Sequence, residues 1–265
     1  MNQQDAARAV LIEVVNVLGA FRDEIVIVGG WWVPDLTFPG KNHVGSPDVD
    51  LAVSPHALGS DAYSTILGRL QEKNYSHSTS PTRFLRSVPG ASEPVKVDLI
   101  SGEYAQGERT KTITVNELQL NTLRGIDLAF ECCDGISISG TMPDGIFNTV
   151  RARIVRPEAF ILIKAFALDE RVKAKDAYDV AFVLSNYQPT LAALAERVAP
   201  LATTGLGAEA FTILCDKFAA LDAVGPQSAA NVAAENGQDR GQALQAAFQD
   251  AQELFSEVER FLSAT

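Results

Sequence analysis

The chain has 265 residues, of which 46 % are hydrophobic and 21 % charged, as is typical of a globular protein with a sizeable buried core. Acidic residues outnumber basic residues by 33 to 22 and give a net charge of −11, which excludes a protein that coats nucleic acid with its whole surface. No apolar run is long enough to span a bilayer and the first residues do not resemble a secretory signal, so we expect a cytoplasmic protein without membrane contact.

Apolar spacing predicts alternating helices and strands in the first part of the chain. In chain order, the predicted elements are a helix over residues 4–20, a strand over 25–28, a loop or broken helix over 31–47, a strand over 49–53, a helix over 61–73, and strands over 84–88, 95–100, 112–115, 126–132 and 136–138. Gly29-Gly30 ends the first of these strands. In the strand over 95–100, Lys96 and Asp98 fall on one face and the apolar residues on the other.

After this part, the spacing of apolar residues predicts helices only. Pro157 suits the first position of a helix that continues over 158–168. Further helices are predicted over 175–185, 190–222 and 241–263, with a polar linker between the last two. The predicted fold class is therefore α+β, with a sheet-containing domain over residues 1–150 and a helical domain over residues 151–265.

Two carboxylates stand at alternate positions at the start of a predicted strand. Asp48 and Asp50 project to the same face, where they repel each other unless a cation lies between them. Mg²⁺ is the predicted occupant, because it takes oxygen ligands and keeps substrate phosphates in its coordination shell. Asp98, on a separate strand, is predicted as a third metal ligand. Two metal ions held in this way would clamp the attacking and leaving oxygens of a phosphoryl displacement.

The neighbouring residues suit a phosphate. Gly29-Gly30 lets backbone N–H groups approach a phosphate without obstruction, and Ser46 offers a hydroxyl donor. Each feature alone has a commoner explanation, since most Asp-x-Asp pairs are solvated acids, Gly-Gly after a strand is often a turn, and a lone aspartate is commonly a surface residue. Their combination in this order is more specific than any of its parts.

A lysine interrupts an otherwise apolar helix. The helix over 158–168 is predicted to be buried, so Lys164 in its middle needs a partner or has to reach water. It either contacts a triphosphate or a catalytic carboxylate, or belongs to a structural ion pair. Asp176 and Asp179 share one face of the next helix, and Asp179 is flanked by apolar residues. A Lys164–Asp179 contact between packed helices would satisfy both charges.

The stretch from Arg151 to Lys175 is locally basic, with seven basic against three acidic residues. Its charge of +4 contrasts with the negative charge of the whole chain. It is therefore a candidate binding surface for a triphosphate or for an RNA backbone. The alternative is a solvated helix surface without a ligand.

Five segments together resemble the nucleotidyltransferase family that includes the AbiEii-type toxins of bacterial toxin–antitoxin and abortive-infection systems. They are IVIVGG at residues 25–30, GSPDVDLAV at 45–53, KVDLI at 96–100, PEAFILIKAFAL at 157–168 and KDAYDVAFVL at 175–184. The last two are the more distinctive, because Asp-x-Asp after Gly-Gly is shared by the whole superfamily.

The resemblance implies a Pol β-like nucleotidyltransferase core with a mixed sheet, followed by a helical region that completes the active site. It implies Mg²⁺-dependent transfer of a nucleoside monophosphate from an NTP to an acceptor such as RNA or tRNA, and a cognate antitoxin protein as partner. The implied site residues are Asp48 and Asp50 as metal ligands, Gly29, Gly30 and Ser46 as phosphate contacts, and Lys164 and Asp179 as the second half of the site. The family usually has arginine at the position of Val44, where His43 or Lys41 are candidate substitutes.

Two other functions fit part of this pattern. A non-catalytic module could keep the fold and bind a nucleotide or a protein partner, which the residue at position 44 favours and the intact Asp48 and Asp50 disfavour. A glycosyltransferase could use Asp-x-Asp to hold a nucleotide sugar. The lysine and the acidic helix that follows it favour the nucleotidyltransferase.

Overall fold

The structure is a computed structural model that describes residues 1–30, 32–54, 60–80, 82–104, 111–115, 118–171 and 173–264. The chain divides into two compact units. The sheet unit comprises Met1–Trp32 and Gly45–Val155, and the helical unit comprises Val33–Val44 and Arg156–Thr265. We call Val33–Val44 the strap. It belongs to the predicted sheet-containing domain over residues 1–150, but in the structure it groups with the C-terminal helices.

The sheet unit is built on one mixed sheet. Its strands are β1 Ile25–Ile27, β2 Val49–Val53, β3 Tyr75–His77, β4 Arg83–Arg86, β5 Val95–Gly102, β6 Thr112–Val115, β7 Leu118–Leu123, β8 Cys133–Thr141 and β9 Phe147–Val155. Their order is β3-β4-β5-β2-β1-β9-β8, and β7 pairs with both β5 and β6. Because β2 is antiparallel to β1 and parallel to β5, the predicted α+β class with a mixed sheet is confirmed.

The helices divide between the two units. They are α1 Gln3–Val17, α2 Trp32–Thr37, α3 Ser60–Glu72, α4 Asp127–Glu131, α5 Pro157–Arg171, α6 Ala174–Asn186, α7 Leu191–Leu201, α8 Gly205–Lys217, α9 Val224–Glu235 and α10 Arg240–Ser263. Helix α1 packs on β8 and β9, and its buried Glu13 is neutralised by Arg86, whose Nε donates to a Glu13 oxygen at 2.7 Å. In the helical unit α10 packs against α6, α7 and α9, while α5 packs against α6, α7 and α8. Among the described residues, none of the helices combines the length and the apolar character that a membrane span requires.

Several elements differ from the sequence prediction. The strand predicted over 126–132 is wrong, since the chain turns at Gly125, where φ is +82°, and continues as α4. An apolar run this short does not distinguish a strand from a buried helical turn. Strands β3, β7 and β9 and helix α9 were not predicted. Of the predicted loop or broken helix over 31–47, residue 31 lies outside the described residues and α2 forms the next six residues.

Candidate active site

The sheet unit brings the three predicted carboxylates onto neighbouring positions. Strands β2 and β5 pair in parallel with Asp50 opposite Asp98, and Asp48 directly precedes β2. The backbone of Asp48 is held on both sides, since its carbonyl accepts from Trp32 Nε1 at 3.1 Å and its N–H donates to Ser46 Oγ at 3.4 Å. The alternation predicted for the strand over residues 95–100 is confirmed by β5, in which Asp98 is only half-buried while its apolar neighbours are buried.

Arg83 on β4 links the carboxylates electrostatically. Its Nε and Nη2 donate to the two oxygens of Asp98 at 2.8 and 2.7 Å. This bidentate bond raises the pKa of Arg83, and the charges of Asp98, Asp48 and Asp50 add to the increase. The three acids therefore act on one guanidinium group, which places them in a common electrostatic environment.

Gly29 lies against the Asp50 carboxylate. A β-carbon at position 29 would lie 3.2 Å from Asp50 Oδ2 and 3.4 Å from the Asp50 nitrogen. The backbone N–H of Val28 donates to the Asp50 carbonyl at 3.2 Å, which fixes this strand end beside the acid. The glycine thus allows the backbone and the Asp50 carboxylate to lie closer together than they could without steric strain if residue 29 had a side chain.

We expect Gly29→Ala to weaken nucleotide binding while it changes the free energy of unfolding by only about 1 kcal/mol. The added methyl group has to displace the Asp50 carboxylate by a few tenths of an ångström, which misplaces a predicted metal ligand. Isothermal titration and urea denaturation measure the two effects. Gly135→Ala on β8 is the matched control, because a β-carbon there meets no atom within 4 Å. Equal nucleotide affinity of both variants would contradict a role for this contact.

The donor set of Asp48 and Asp50 fits Mg²⁺. Asp48 Oδ1 is buried and accepts no hydrogen bond from any residue that the structure describes, and the Lys96 Nζ lies 3.8 Å away, too far to donate one. In the part of the chain that the structure describes, no group of three or more His, Cys, Asp or Glu side chains is arranged to hold a metal ion. Mg²⁺ is commonly held by one or two carboxylates together with substrate phosphates, so the pair can suffice. The role of Asp98 as a third ligand stays a prediction, and it requires Arg83 to release that carboxylate.

A second cluster of charged groups lies within the helical unit. Lys164 Nζ on α5 is 2.7 Å from Asp176 Oδ1 and 2.7 Å from Asp179 Oδ2, both on α6, which confirms the predicted Lys164–Asp179 contact. Burial lowers the pKa of Lys164, but the charges of Asp179 and Asp176 outweigh burial and raise it to about 12. Burial raises the pKa of Asp179, yet Lys164 and Lys175 hold it well below its usual range. Both groups are therefore charged at neutral pH.

His43 joins this cluster from the strap, a contact that the sequence analysis missed. Its Nε2 lies 2.9 Å from Asp179 Oδ1, which also accepts from Lys175 at 2.8 Å. Burial lowers the pKa of His43 more than the hydrogen bond to Asp179 raises it, so the ring is neutral and Nε2–H donates to the carboxylate. The imidazole packs on the rings of Tyr178 and Phe182, at centroid distances of 5.2 and 4.8 Å. With Arg171, which donates to both oxygens of Asp176, these groups form the buried ion network.

The buried ion network predicts a pH dependence of stability. The folded-state pKa of His43 is lowered below 6.5. As the pH falls below about 6.5, the His43 ring is therefore protonated in the unfolded chain while it stays neutral in the folded chain. The free energy of unfolding is therefore expected to decrease by up to about 1.4 kcal/mol per pH unit in that range. His43→Gln should remove this slope in urea titrations between about pH 7.5 and about pH 5, and His77→Gln, at an exposed histidine, serves as the control. An unchanged slope in His43→Gln would contradict the buried neutral imidazole.

The locally basic stretch is largely neutralised in the structure. Lys164, Lys175 and Arg171 belong to the buried ion network, and Arg156 Nε lies 2.9 Å from a Glu158 oxygen. Most of the charge predicted to receive a triphosphate or an RNA backbone is thus paired with carboxylates inside the helical unit.

Comparisons with known proteins leave the family unassigned. No protein-family model matches the chain, and no curated protein matches it significantly. Among solved structures, the chain is similar to the solution structure of the antibiotic-resistance factor ANT(2'')-Ia, with 11% sequence identity over 97% of this chain and 98% of that chain and a TM-score of 0.32. Similarity at this level does not establish a shared fold, so the functional assignment rests on the residues themselves.

Proposed function

We propose that the chain is a Mg²⁺-dependent nucleotidyltransferase that moves a nucleoside monophosphate from an NTP to an acceptor hydroxyl. The observation that carries this proposal is the contact of Gly29 with Asp50 beside Asp48, whose buried Oδ1 accepts no hydrogen bond from the described part of the chain. Two carboxylates next to a glycine backbone suit a Mg²⁺–triphosphate complex. The Pol β-like character of the core is part of this proposal and is supported by the order of the motifs.

Each residue of the site has a role in this reaction. Asp48 and Asp50 would hold Mg²⁺, which when bound neutralises charge on the triphosphate as pyrophosphate leaves. The backbone N–H groups at Gly29 and Gly30 bind phosphate oxygens. Ser46 Oγ accepts from the Asp48 N–H, so its own hydroxyl hydrogen remains to donate to a phosphate. The acceptor oxygen bonds to the α-phosphorus, the bond to pyrophosphate breaks, and the acceptor hydroxyl releases its proton to water.

We propose that Lys164 and Asp179 hold α5, α6 and the strap in position and that neither contacts the triphosphate. Lys164 Nζ already contacts two buried carboxylates, and the oxygens of Asp179 contact Lys164, Lys175 and His43. RNA or tRNA as acceptor and a cognate antitoxin as partner are hypotheses that only the motif resemblance supports.

Nucleotide titration tests the proposed function. We expect ATP, CTP, GTP or UTP to bind the wild type in the presence of Mg²⁺ and to bind weakly when the metal is chelated. Asp50→Asn should lose the Mg²⁺-dependent binding, whereas Asp134→Asn, at an exposed position of β8 in the same unit, should keep it. Absence of binding by all four NTPs, or equal binding by the two variants, would contradict the proposal. Binding without pyrophosphate release in the presence of acceptors would favour the non-catalytic module.

A further inference from the structure

The helical unit contains a cleft that the proposed reaction does not use. Its volume is about 260 Å³, and it is lined by α6, α9, α10 and the strap residues Lys41 and Asn42. The lining residues from helices α9 and α10 are all alanines, which gives a wall without long side chains, and Gln238 lines the cleft from the turn between the two helices. Tyr178 and Phe182 add two aromatic rings from α6. A smooth wall beside aromatic rings suits a flat ring system.

The polar groups of the cleft favour an anion. None of the described lining residues is acidic, although the chain carries a net charge of −11. The Lys41 side chain is exposed and forms no hydrogen bond or ion pair with any described residue, so its ammonium group is available to a ligand. A lone unpaired cation in a cleft without carboxylates attracts anions and repels polycations.

A buried hydroxyl provides a second, independent indication of a ligand. Tyr178 is only 4% exposed, and within the described residues its Oη has no hydrogen-bond partner. The Gln238 side chain and the Val44 backbone come close enough to oppose the increase of its pKa that burial causes, but neither has the geometry of a hydrogen bond. Leaving a hydroxyl buried without a partner costs free energy, which a ligand that bonds to it would recover.

The buried ion network holds the strap side of this cleft in place. His43, between Asn42 and Val44, donates to Asp179, and Val44 packs on the cluster of Tyr178, Phe182, Val232 and Ala233. The residues that flank Lys41 and Asn42 on the C-terminal side are therefore anchored on α6. This anchoring holds the backbone that carries Lys41 and Asn42 at the cleft before any ligand binds.

We propose that this cleft binds a small anion that carries a flat, hydrogen-bonding ring, the chemical class to which nucleoside monophosphates belong. Lys41 pairs with the anionic group, the ring lies along the alanine wall, and Tyr178 and Asn42 bond to its polar edge. Binding requires neither Mg²⁺ nor Asp48, so this proposal is independent of the proposed function.

Titration with AMP, GMP, CMP and UMP in the presence of a metal chelator tests the proposal. We expect at least one of them to bind the wild type, and Lys41→Ala to weaken binding by about 10-fold or more through loss of the charged hydrogen bond. Ala246→Phe, at an exposed position of the alanine wall, should block the cleft and abolish binding. Lys173→Ala, at another exposed lysine of the helical unit, is the matched control and should bind like the wild type.

Two further measurements separate this cleft from the carboxylate site. Adenosine, which lacks the phosphate, should bind much more weakly than AMP, and Asp48→Asn should bind the monophosphates like the wild type. Failure of all four monophosphates to bind at millimolar concentration would overturn the proposal. Wild-type affinity of Lys41→Ala or of Ala246→Phe for the monophosphates, equal affinity of the wild type for adenosine and AMP, or loss of binding in Asp48→Asn would overturn it as well.

Discussion

Replacing Lys164 by methionine is expected to lower the free energy of unfolding by about 3–5 kcal/mol. Methionine keeps most of the packing volume of the lysine on α5. It removes the ammonium group, whose Nζ lies 2.7 Å from an oxygen of Asp176 and 2.7 Å from an oxygen of Asp179. Asp179 has no exposed side-chain surface, so the loss of a partner leaves an incompletely compensated charge in the interior. Urea denaturation followed by circular dichroism measures the change.

Lys175→Met is the matched control for this experiment. Lys175 also contacts Asp179, at 2.8 Å, but 31% of its side chain is exposed, against 9% for Lys164. Solvent screens this partly exposed pair, so we expect a loss of about 1 kcal/mol or less. Equal effects of the two variants would contradict the central place of Lys164 in the buried ion network. A stable Lys164→Met that no longer binds NTP would instead identify the lysine as a triphosphate contact.

Replacing Asp48 or Asp50 by alanine is expected to reduce nucleotidyl transfer by at least about 100-fold. Each substitution removes one of the two carboxylates that hold the proposed metal ion. Each also relieves repulsion between like charges, so the metal-free variants should be no less stable than the wild type. Pyrophosphate release from the preferred NTP reports transfer, and thermal denaturation without metal reports stability. Full activity in either variant would contradict the proposed role of the pair, and lost activity together with unfolding would not support it.

The candidate site was partly predictable because several of its residues lie in short sequence patterns that indicate their role. Alternation around Asp48 and Asp50 placed both acids at the start of a strand, and β2 begins at the next residue after Asp48. The contact between Lys164 and Asp179 was predictable because a charged group in an apolar helix needs a partner that is also buried. Strand β9 also has an alternating pattern, with Val150, Ala152 and Ile154 buried, but the arginines between them made this stretch resemble a basic surface more than a strand.

Other parts depend on contacts that no local pattern contains. His43 and Asp179 are 136 residues apart, so their hydrogen bond follows only from the packing of the strap on α6. The Arg83–Asp98 pair depends on the register of β4 against β5, which the sequence does not specify. Helix α9 buries mainly small residues, including Ala229, Ala230 and Ala233, and such a helix lacks the large apolar side chains that reveal helical spacing.

The most direct test of the central claim is an electron paramagnetic resonance titration with Mn²⁺, which takes the oxygen ligands that Mg²⁺ takes. The wild type and the control Asp134→Asn are compared with Asp48→Asn and Asp50→Asn, each in the presence of the NTP that binds best. We predict that Mn²⁺ is bound by the first two proteins and lost from the last two. Equal Mn²⁺ binding by all four proteins would contradict a metal site at Asp48 and Asp50.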